Sequence, residues 1–478
     1  MAFEDLRDFI AALEKQKEAV SIAQEVDWNL EAGAILRRTY ELGLPAPFFQ
    51  RIKGYPEGYR MFGGTLGTHR RLALAWGLDP KTNYRDLMEF YLGKKDKTIK
   101  PILVKDAPCK ENIHIGEDVD LLEFPAPMLH DGDGGRYLCS WHCNISKDPD
   151  TGWVNWGMYR AMILTKNTMA GLVEPHKHIG YHHLRKYEPR DEPMPVAIAI
   201  GTDPISSLMA LSAVPPGVDE VDIAGALQGK PTKLVKCETI DLEVPATSEI
   251  VIEAEIWPKE RAWEGPFGEY TGYRASPRDK RPVYRVKAIT HRTNPILTVS
   301  CMGVPIDDND APVSVTHGAE ILQELRTKGQ PVVDLCLYPE CAGLLLAVSI
   351  KPTEANIAQR IAHIVWGTFP GRNIPYVIVL DDDIDPQNMP QVMHALASKC
   401  HPYRGIKRLE HTVGHSLLPF SNRYERLNRL GSKAYFDCTW PLDWDPSIAV
   451  PPRASFDKIY PKELQEHVVK NWKSYGFE

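Results

Sequence analysis

Between about residues 116 and 310 the chain stops alternating helix-like and strand-like segments. Short apolar runs recur there, among them 195–200, 250–256 and 283–289, with turns between them and a high density of glycine and proline. Runs of that length and spacing pair into sheets. The segment is therefore expected to form a β-rich core, with helices inserted near 176–187 and 219–228. The flanks read differently. Phe3, Leu6, Phe9, Ile10 and Leu13 fall at helical spacing, and Asp5 and Asp8 stand early, where acids suit a helix start. A strand at 20–22 and a helix around 30–43 should follow. Beyond 311, a helix at 318–327, strands at 332–337 and 344–350, a helix at 354–366, a strand at 376–380 and a helix at 388–399 follow in the order of an α/β layer with a partly parallel sheet. At 478 residues the chain is too long for one core. The expected fold is a multidomain α/β (α+β) protein, with an α/β unit at 1–115, a β-rich unit at 116–310 and an α/β unit at 311–478.

Charge narrows the function classes. Lys and Arg number 56 and Asp and Glu 63, a formal charge of −7. Such a surface has no general reason to bind nucleic acid, although local basic clusters could hold a phosphate. No apolar run reaches the roughly 18 residues that span a bilayer, so no membrane partner is expected. The start, Met1 to Arg7, lacks the basic-then-apolar pattern of a secretion signal. The nine cysteines form no CxxC pair, and Cys139 and Cys143 have no second pair with which to complete a zinc site. Reduced thiols in a cytoplasmic protein are the expectation.

Four segments could carry chemistry. In Glu264-Gly-Pro-Phe-Gly-Glu269 two carboxylates flank a turn. A straight strand would send them to opposite faces, whereas the turn lets both approach one cavity. Two acids in different environments can then divide acid and base roles, or they are simply solvated acids beside a surface turn. Asn155-Trp-Gly-Met-Tyr-Arg160 could present Asn155 and Arg160 to one ligand, Arg being suited to grip a carboxylate or phosphate. Alone it is equally a strand with one exposed Arg. His176, His178, His182 and His183 crowd one stretch, with His178 and His182 at i, i+4. That spacing can place two ligands on one helical face, but no HExxH pattern is present, and the metal and non-metal interpretations both stand. Glu220 precedes Ala-Gly-Ala-Leu and opens a helix, where an acid suits the dipole. Asp131 to Gly135 is a Gly-rich loop that could cover a cofactor, and Asp381 to Asp385 ends a strand. Neither a phosphate loop nor a dinucleotide GxGxxG follows a strand.

Taken in order, these segments resemble the UbiD-like decarboxylases. The resemblance rests on Glu264-Gly-Pro-Phe-Gly-Glu269-Tyr-Thr-Gly, Asn155 to Arg160, Lys177-His178-Ile-Gly, Glu220 before Ala-Gly-Ala-Leu, Pro245-Ala-Thr-Ser-Glu-Ile-Val-Ile, Asp381 to Pro386 and the tail from Trp472 to Phe477. It implies a split-barrel flavin-binding domain in the centre and an oligomerisation domain at the end. It also implies a divalent metal, usually Mn2+, held by Asn155, His178 and Glu220 and anchoring the phosphate of prenylated FMN, with K+ nearby. Oxygen and imidazole donors without thiolate suit such a metal. Asn155, Trp156, Gly157, Met158, Tyr159, Arg160, Lys177, His178, Glu220 and Arg372 would line the cofactor. Glu269 would be the proton donor, Arg160 would orient the substrate carboxylate, and Glu264 would fix Arg160.

The implied reaction is reversible decarboxylation of an aromatic, heteroaromatic or α,β-unsaturated acid with release of CO2. A flavin prenyltransferase would supply the cofactor, and the assembly would be a homodimer or hexamer. The chain departs from the family pattern in two places. Gly371-Arg372-Asn stands where many members carry a phosphate-contacting Lys, so Arg372 is the candidate replacement. Lys177 stands where some relatives have a neutral amide. The competing functions are a flavin-binding oxidoreductase, which would need a hydride-donor site that no fingerprint marks, and an inactive flavin-binding relative.

Overall fold

The computed structural model describes residues 3–445 and 447–477. Met1 and Glu478, the outer limits of the first and last expected units, lie outside them, as do Ala2 and Pro446. The first expected helix forms as Leu6–Lys15, capped by Asp5, whose side chain accepts from the Asp8 amide, and burying Leu6, Phe9, Ile10 and Leu13. The strand Ala19–Val26 and helix Glu31–Glu41 follow. The N-terminal sheet has four strands in the order Ala19–Val26, Ala46–Ile52, Arg60–Gly63 and Ile296–Val299. Its last strand arrives from far along the sequence and runs parallel to Arg60–Gly63.

The central sheet has nine strands, eight in one path and Asn112–Ile115 paired with Asp279–His291 off it, and the order of the path dictates its shape. Tyr137–Cys139 stands at one edge. The sheet continues through Ala161–Thr165, Thr168–Gly171, Asp279–His291, Ile250–Glu264, Met194–Ile200, His142–Lys147 and Val154–Gly157. Cys139 and His142 are thus six strands apart, about 30 Å in a flat sheet, yet only three residues apart, a reach of about 11 Å. The sheet must curl until its edges meet. The link from Gly157 to Ala161 imposes the same closure, because it too joins the two ends of the order. Met158, Tyr159 and Arg160 therefore lie on the seam. Alternate side chains such as Ile198, Ile200, Ile250, Ile252, Ala254 and Ile256 fill the interior, in the inward–outward alternation that a strand demands.

The C-terminal sheet is mixed, in the order Val332–Leu337, Leu345–Ile350, Tyr376–Asp381, Leu430–Cys438 and Ile406–Val413, with its two inner pairs parallel. The helix expected at 318–327 starts eight residues earlier, as Asp310–Thr327, because Ala311, Val315 and Leu322 continue its buried face. Tyr84 fastens this helix to the sheet, donating to the Ser314 carbonyl (2.7 Å) and accepting from the Leu337 amide (3.2 Å). Among the described residues no helix is long and apolar enough to cross a membrane.

A buried ion pair ties the first helix to the central sheet. Glu249, fully buried, accepts from Arg7 Nε and Nη2 (both 2.8 Å), from Arg292 Nη1 (3.3 Å) and from the Ile296 amide (3.1 Å). Removing one partner of such a cluster leaves charge poorly compensated in a dry place. Arg7→Ala is expected to destabilise the fold by about 2–4 kcal/mol and Arg7→Lys by less, read as thermal midpoints by calorimetry. Equal midpoints for Arg7→Ala and the parent would show that Arg292 alone suffices.

Candidate functional site

Where the curled edges meet, a cavity of about 260 Å³ opens between the central sheet and the C-terminal unit. Its walls include Asn155, Trp156, Gly157, Met158, Tyr159, Arg160, Lys177, His178, Glu220, Glu269 and Arg372. Of the site residues implied by the resemblance, Glu264 stays behind the wall. Arg160 sits between the two acids. Its Nε and Nη2 donate to Glu264 Oε1 (2.9 Å) and Oε2 (3.2 Å), and its Nη1 contacts Glu269 Oε1. All three side chains are buried. Burial lowers the proton affinity of the guanidinium, but Glu264 more than restores it and the net shift is upward. Tyr137 donates to Glu264 Oε1 at 2.6 Å, and Phe267 lies under the guanidinium at 5.4 Å.

Local structure explains why one short segment delivers both acids. Glu264 ends the strand Ile250–Glu264, paired with Asp279. The chain then leaves the ladder at Gly265, which has φ +80°, a left-handed conformation open to glycine. The turn returns Glu269 to the same guanidinium. The loop 131–135 proves to be a support rather than a loose cover. Asp133 is buried, accepts from the Gly268 amide (3.1 Å) and pairs with His130 Nδ1 (2.8 Å), while the Gly134 amide donates to the Pro266 carbonyl (2.8 Å).

A second cluster forms deeper in the cavity. His178 Nδ1 lies 2.9 Å from Asn155 Oδ1 and 3.9 Å from Glu220 Oε1, and Glu220 Oε2 accepts from the Trp156 amide at 2.9 Å. Adjacent ligands of an octahedral ion bound at about 2.1 Å stand about 3 Å apart. Burial pushes Glu220 up to about 8. It also pushes His178 down to about 4, aided by His182, Lys177 and Arg372. His178 is thus a neutral donor beside a carboxyl short of positive charge. His178 Nε2 and Asn155 Nδ2 are buried and unpartnered among the described residues. One N and two O donors with these properties fit a divalent cation. The other histidines part company: His182 Nδ1 meets Ser146 Oγ (3.0 Å), His183 turns toward Glu188 (3.5 Å), and His176 stays on the cavity wall beside Glu174 (3.5 Å).

Cations gather nearby. Burial lowers the Lys177 proton affinity and Arg372 and Arg429 lower it further, against the opposing pull of Glu174. Among the described residues none of Lys177, Arg372 and Arg429 forms a salt bridge. Arg372 instead lies over the Phe369 ring at 4.0 Å, and that ring stacks on His178. The arrangement can hold a phosphate. Asp381, by contrast, is tied to Lys399 and the Trp440 amide (3.1 Å) in a structural corner.

Sequence reasoning missed Tyr137, Tyr270, His415 and Arg429. Tyr270 follows Glu269 directly and faces the same cavity, and its hydroxyl lies 2.8 Å from His415 Nε2. His415 Nδ1 accepts from the Leu417 amide (3.1 Å), and burial pushes the imidazole down to about 3. Its one ring proton is therefore on Nε2, which donates to Tyr270. The position of Tyr270 beside Glu269 was a usable signal. His415 and Arg429 come from distant loops with no local pattern.

Comparison with known proteins agrees along the whole chain. Sequence profiles of the 3-octaprenyl-4-hydroxybenzoate carboxy-lyase (UbiD) family match in three pieces: the N-terminal domain at residues 10–91, the Rift-related domain at 102–305 and the C-terminal domain at 312–438. The chain is 33% identical to the pyrrole-2-carboxylic acid decarboxylase of Pseudomonas aeruginosa, over 99% of this chain and 98% of that protein. It is 32% identical to ferulic acid decarboxylase 1 of Saccharomyces cerevisiae, over 99% and 98%. Among solved structures, the closed form of the vanillic acid decarboxylase of Sedimentibacter hydroxybenzoicus superposes with a TM-score of 0.87 at 31% identity, covering 99% of each chain. The UbiD-class enzyme HmfF of Pelotomaculum thermopropionicum in complex with FMN gives 0.83 at 30%, covering 97% of this chain and 98% of that one. An evolved dimeric form of HmfF in complex with prenylated FMN gives 0.80 at 30%, covering 94% and 97%.

The supporting role of the 131–135 loop can be tested directly. A Cβ on Gly134 would stand 2.1 Å from the Gly265 carbonyl oxygen, so Gly134→Ala must displace the turn that carries Glu269. A destabilisation of about 1–3 kcal/mol is expected, and crystals of the variant should show Glu269 withdrawn from Arg160. An unmoved turn with an unchanged melting midpoint would refute the coupling.

Proposed function

The chain belongs to the UbiD family of carboxy-lyases, and from that premise we propose that it is a reversible non-oxidative decarboxylase of an aromatic, heteroaromatic or α,β-unsaturated carboxylic acid, working with prenylated FMN. The observation that carries the proposal is Arg160, held between buried Glu264 and Glu269 on the wall of one cavity. Asn155, His178 and Glu220 would hold Mn2+, and Lys177, Arg372 and Arg429 would neutralise the cofactor phosphate. The bound flavin supplies the electron sink for the bonding pair that departing CO2 leaves behind.

The protein's own groups account for the rest. Arg160 presents its guanidinium to the substrate carboxylate, with Glu264 and Tyr137 keeping the plane from turning. The incoming carboxylate competes with Glu269 for Nη1. Substrate entry thereby frees the Glu269 carboxyl to act as the acid. Glu269 then delivers its proton to the carbon that held the carboxylate. In the reverse direction the same group removes that proton. Phe267 and Met158 keep water from the acid network, and Tyr270 offers its hydroxyl hydrogen to the substrate, since His415 already donates to its oxygen.

Two experiments test the assignment on enzyme co-produced with a flavin prenyltransferase and assayed for CO2 release over a panel of aromatic, heteroaromatic and acrylic acids. Glu269→Gln keeps shape and hydrogen bonding but removes the titrating group. It should cost on the order of 10² to 10⁴ in rate, retain its flavin, and fail to place solvent deuterium at the former carboxylate carbon. Turnover and exchange at the parent rate would sink the assignment. His178→Ala should lower bound manganese and flavin together, measured by elemental analysis and by mass spectrometry of the released cofactor. Unchanged contents would mean that His178 is not a ligand.

A further inference from the structure

At the opposite end of the strand pair from Glu264, three potential ligands from three segments converge. His291 is the last residue of Asp279–His291 and is 4% exposed. His114 lies on the neighbouring strand Asn112–Ile115, and Glu123 closes the short turn Leu121–Glu123. One donor atom of each lies within 4.8 Å of the others. His114 Nε2 and His291 Nε2 are 3.3 Å apart, the separation of two nitrogens on a tetrahedral ion bound at about 2.0–2.1 Å. Glu123 Oε1 is 3.8 Å from His291 Nε2.

The three are oriented in advance. His291 Nδ1 lies 2.9 Å from the Arg292 carbonyl and so carries a proton there, leaving a lone pair on Nε2, as in metal-bound histidines. In that tautomer Nε2 offers a lone pair near the Glu123 carboxylate, a second acceptor. Glu123 is itself held by Tyr59, whose hydroxyl donates to Oε1 at 2.5 Å. A simple N–H···N bond from His114 to His291 explains the contact between the rings, and Tyr59 holds the Glu123 carboxylate beside them.

We propose that His114, Glu123 and His291 form a binding site for a divalent transition metal, separate from the flavin cavity, with a fourth position open to water. Two imidazole nitrogens at tetrahedral spacing with a carboxylate beside them suit zinc or a similar borderline ion, not calcium or magnesium. The ion would fasten the segment entering the central sheet to the far end of the strand Asp279–His291. Through Tyr59 it would also brace the N-terminal unit. Its function is structural, because none of its ligands touches the cavity.

Zinc itself is the probe. Holoprotein equilibrated with micromolar buffered free zinc should bind one ion per chain that His114→Ala and Glu123→Gln bind at least tenfold more weakly. His178→Ala should keep that ion, which separates this site from the one in the cavity. Zinc should raise the melting midpoint of the parent but not of His114→Ala, and decarboxylation by His114→Ala should match the parent. Crystals of the parent soaked in zinc should show an anomalous peak between the two Nε2 atoms, an outcome that depends on no variant folding. Equal zinc uptake by the parent and His114→Ala, or no anomalous peak at that position, would overturn the proposal.

Discussion

The buried guanidinium of Arg160 cannot stand in this fold without carboxylates on it, and much of the central unit is arranged to bring them there. A charge removed from water and left unpaired costs several kcal/mol. Glu264 meets two of the guanidinium nitrogens from behind, and Glu269 meets the third from the cavity side. That geometry requires the sheet to close, since Arg160 lies on the link between strands from opposite ends of the sheet order. It also requires the chain to turn sharply after Glu264, with Gly265 at positive φ and the 131–135 loop packed beneath. Fold and site share one constraint. At the seam a three-residue link carries a charged side chain into the cavity with strand partners on both sides to cover it.

The cavity is electrically divided, and the division explains how an acidic chain can hold an anionic cofactor. At one side, burial leaves Glu220 with a raised proton affinity beside a neutral His178, a place for positive charge. At another, burial lowers the proton affinities of Lys177, Arg372 and Arg429, and neighbouring cations lower those of Lys177 and Arg372 further, a place for negative charge. A metal–phosphate pair satisfies both at once, and neither partner alone does so. The net charge of −7 is irrelevant at this range, because interactions inside a low-dielectric pocket depend on the nearest groups. Arg372 in place of the expected Lys is consistent with that logic. Its flat guanidinium lies on Phe369, an arrangement a Lys ammonium would not reproduce.

Much of this was legible in the sequence, and the pattern of what was not has a physical cause. The strands 195–200, 250–256 and 283–289 were readable as short apolar runs because nearly every residue in the first two is buried and the third exposes only Arg285 and Lys287. Arg160, Glu264 and Glu269 were readable because turn chemistry and charge type coincide in short segments. The early start of the helix Asp310–Thr327 was not readable, because Asp307, Asp308 and Asp310 look like a solvated loop. They are in fact fully or almost fully buried, with Asp308 accepting from Tyr40 and from the Gly64 and Leu66 amides. A carboxylate paid for by partners hundreds of residues away leaves no local trace. The Gly-rich 131–135 loop misled for the same reason: its rigidity comes from the 265–269 turn, not from its own residues.

The two halves of the cavity differ in construction, and this places reaction type and substrate choice on different parts of the chain. The metal-type ligands sit on a strand and two helix starts, and the acid network on a strand end, the seam link and the 265–269 turn, where a displaced side chain would disturb many neighbours. The opposite wall comes from connecting segments of the C-terminal unit, including Phe369, Arg372, His415 and Leu417. Between them, the stretch that carries His415 and Arg429 is exposed at 419–420, 422–424 and 427–428. Loops of that kind tolerate change at little cost to the core. Tyr270 is the hinge between the halves: it belongs to the rigid turn through Glu269 but takes its hydrogen-bond direction from His415. Changing His415 would redirect a hydroxyl inside the cavity without moving Glu264 or Glu269. The same barrel can thus serve acids that differ in their polar substituents, and for that reason the chemistry is legible in the motifs while the substrate is written in loops that carry none.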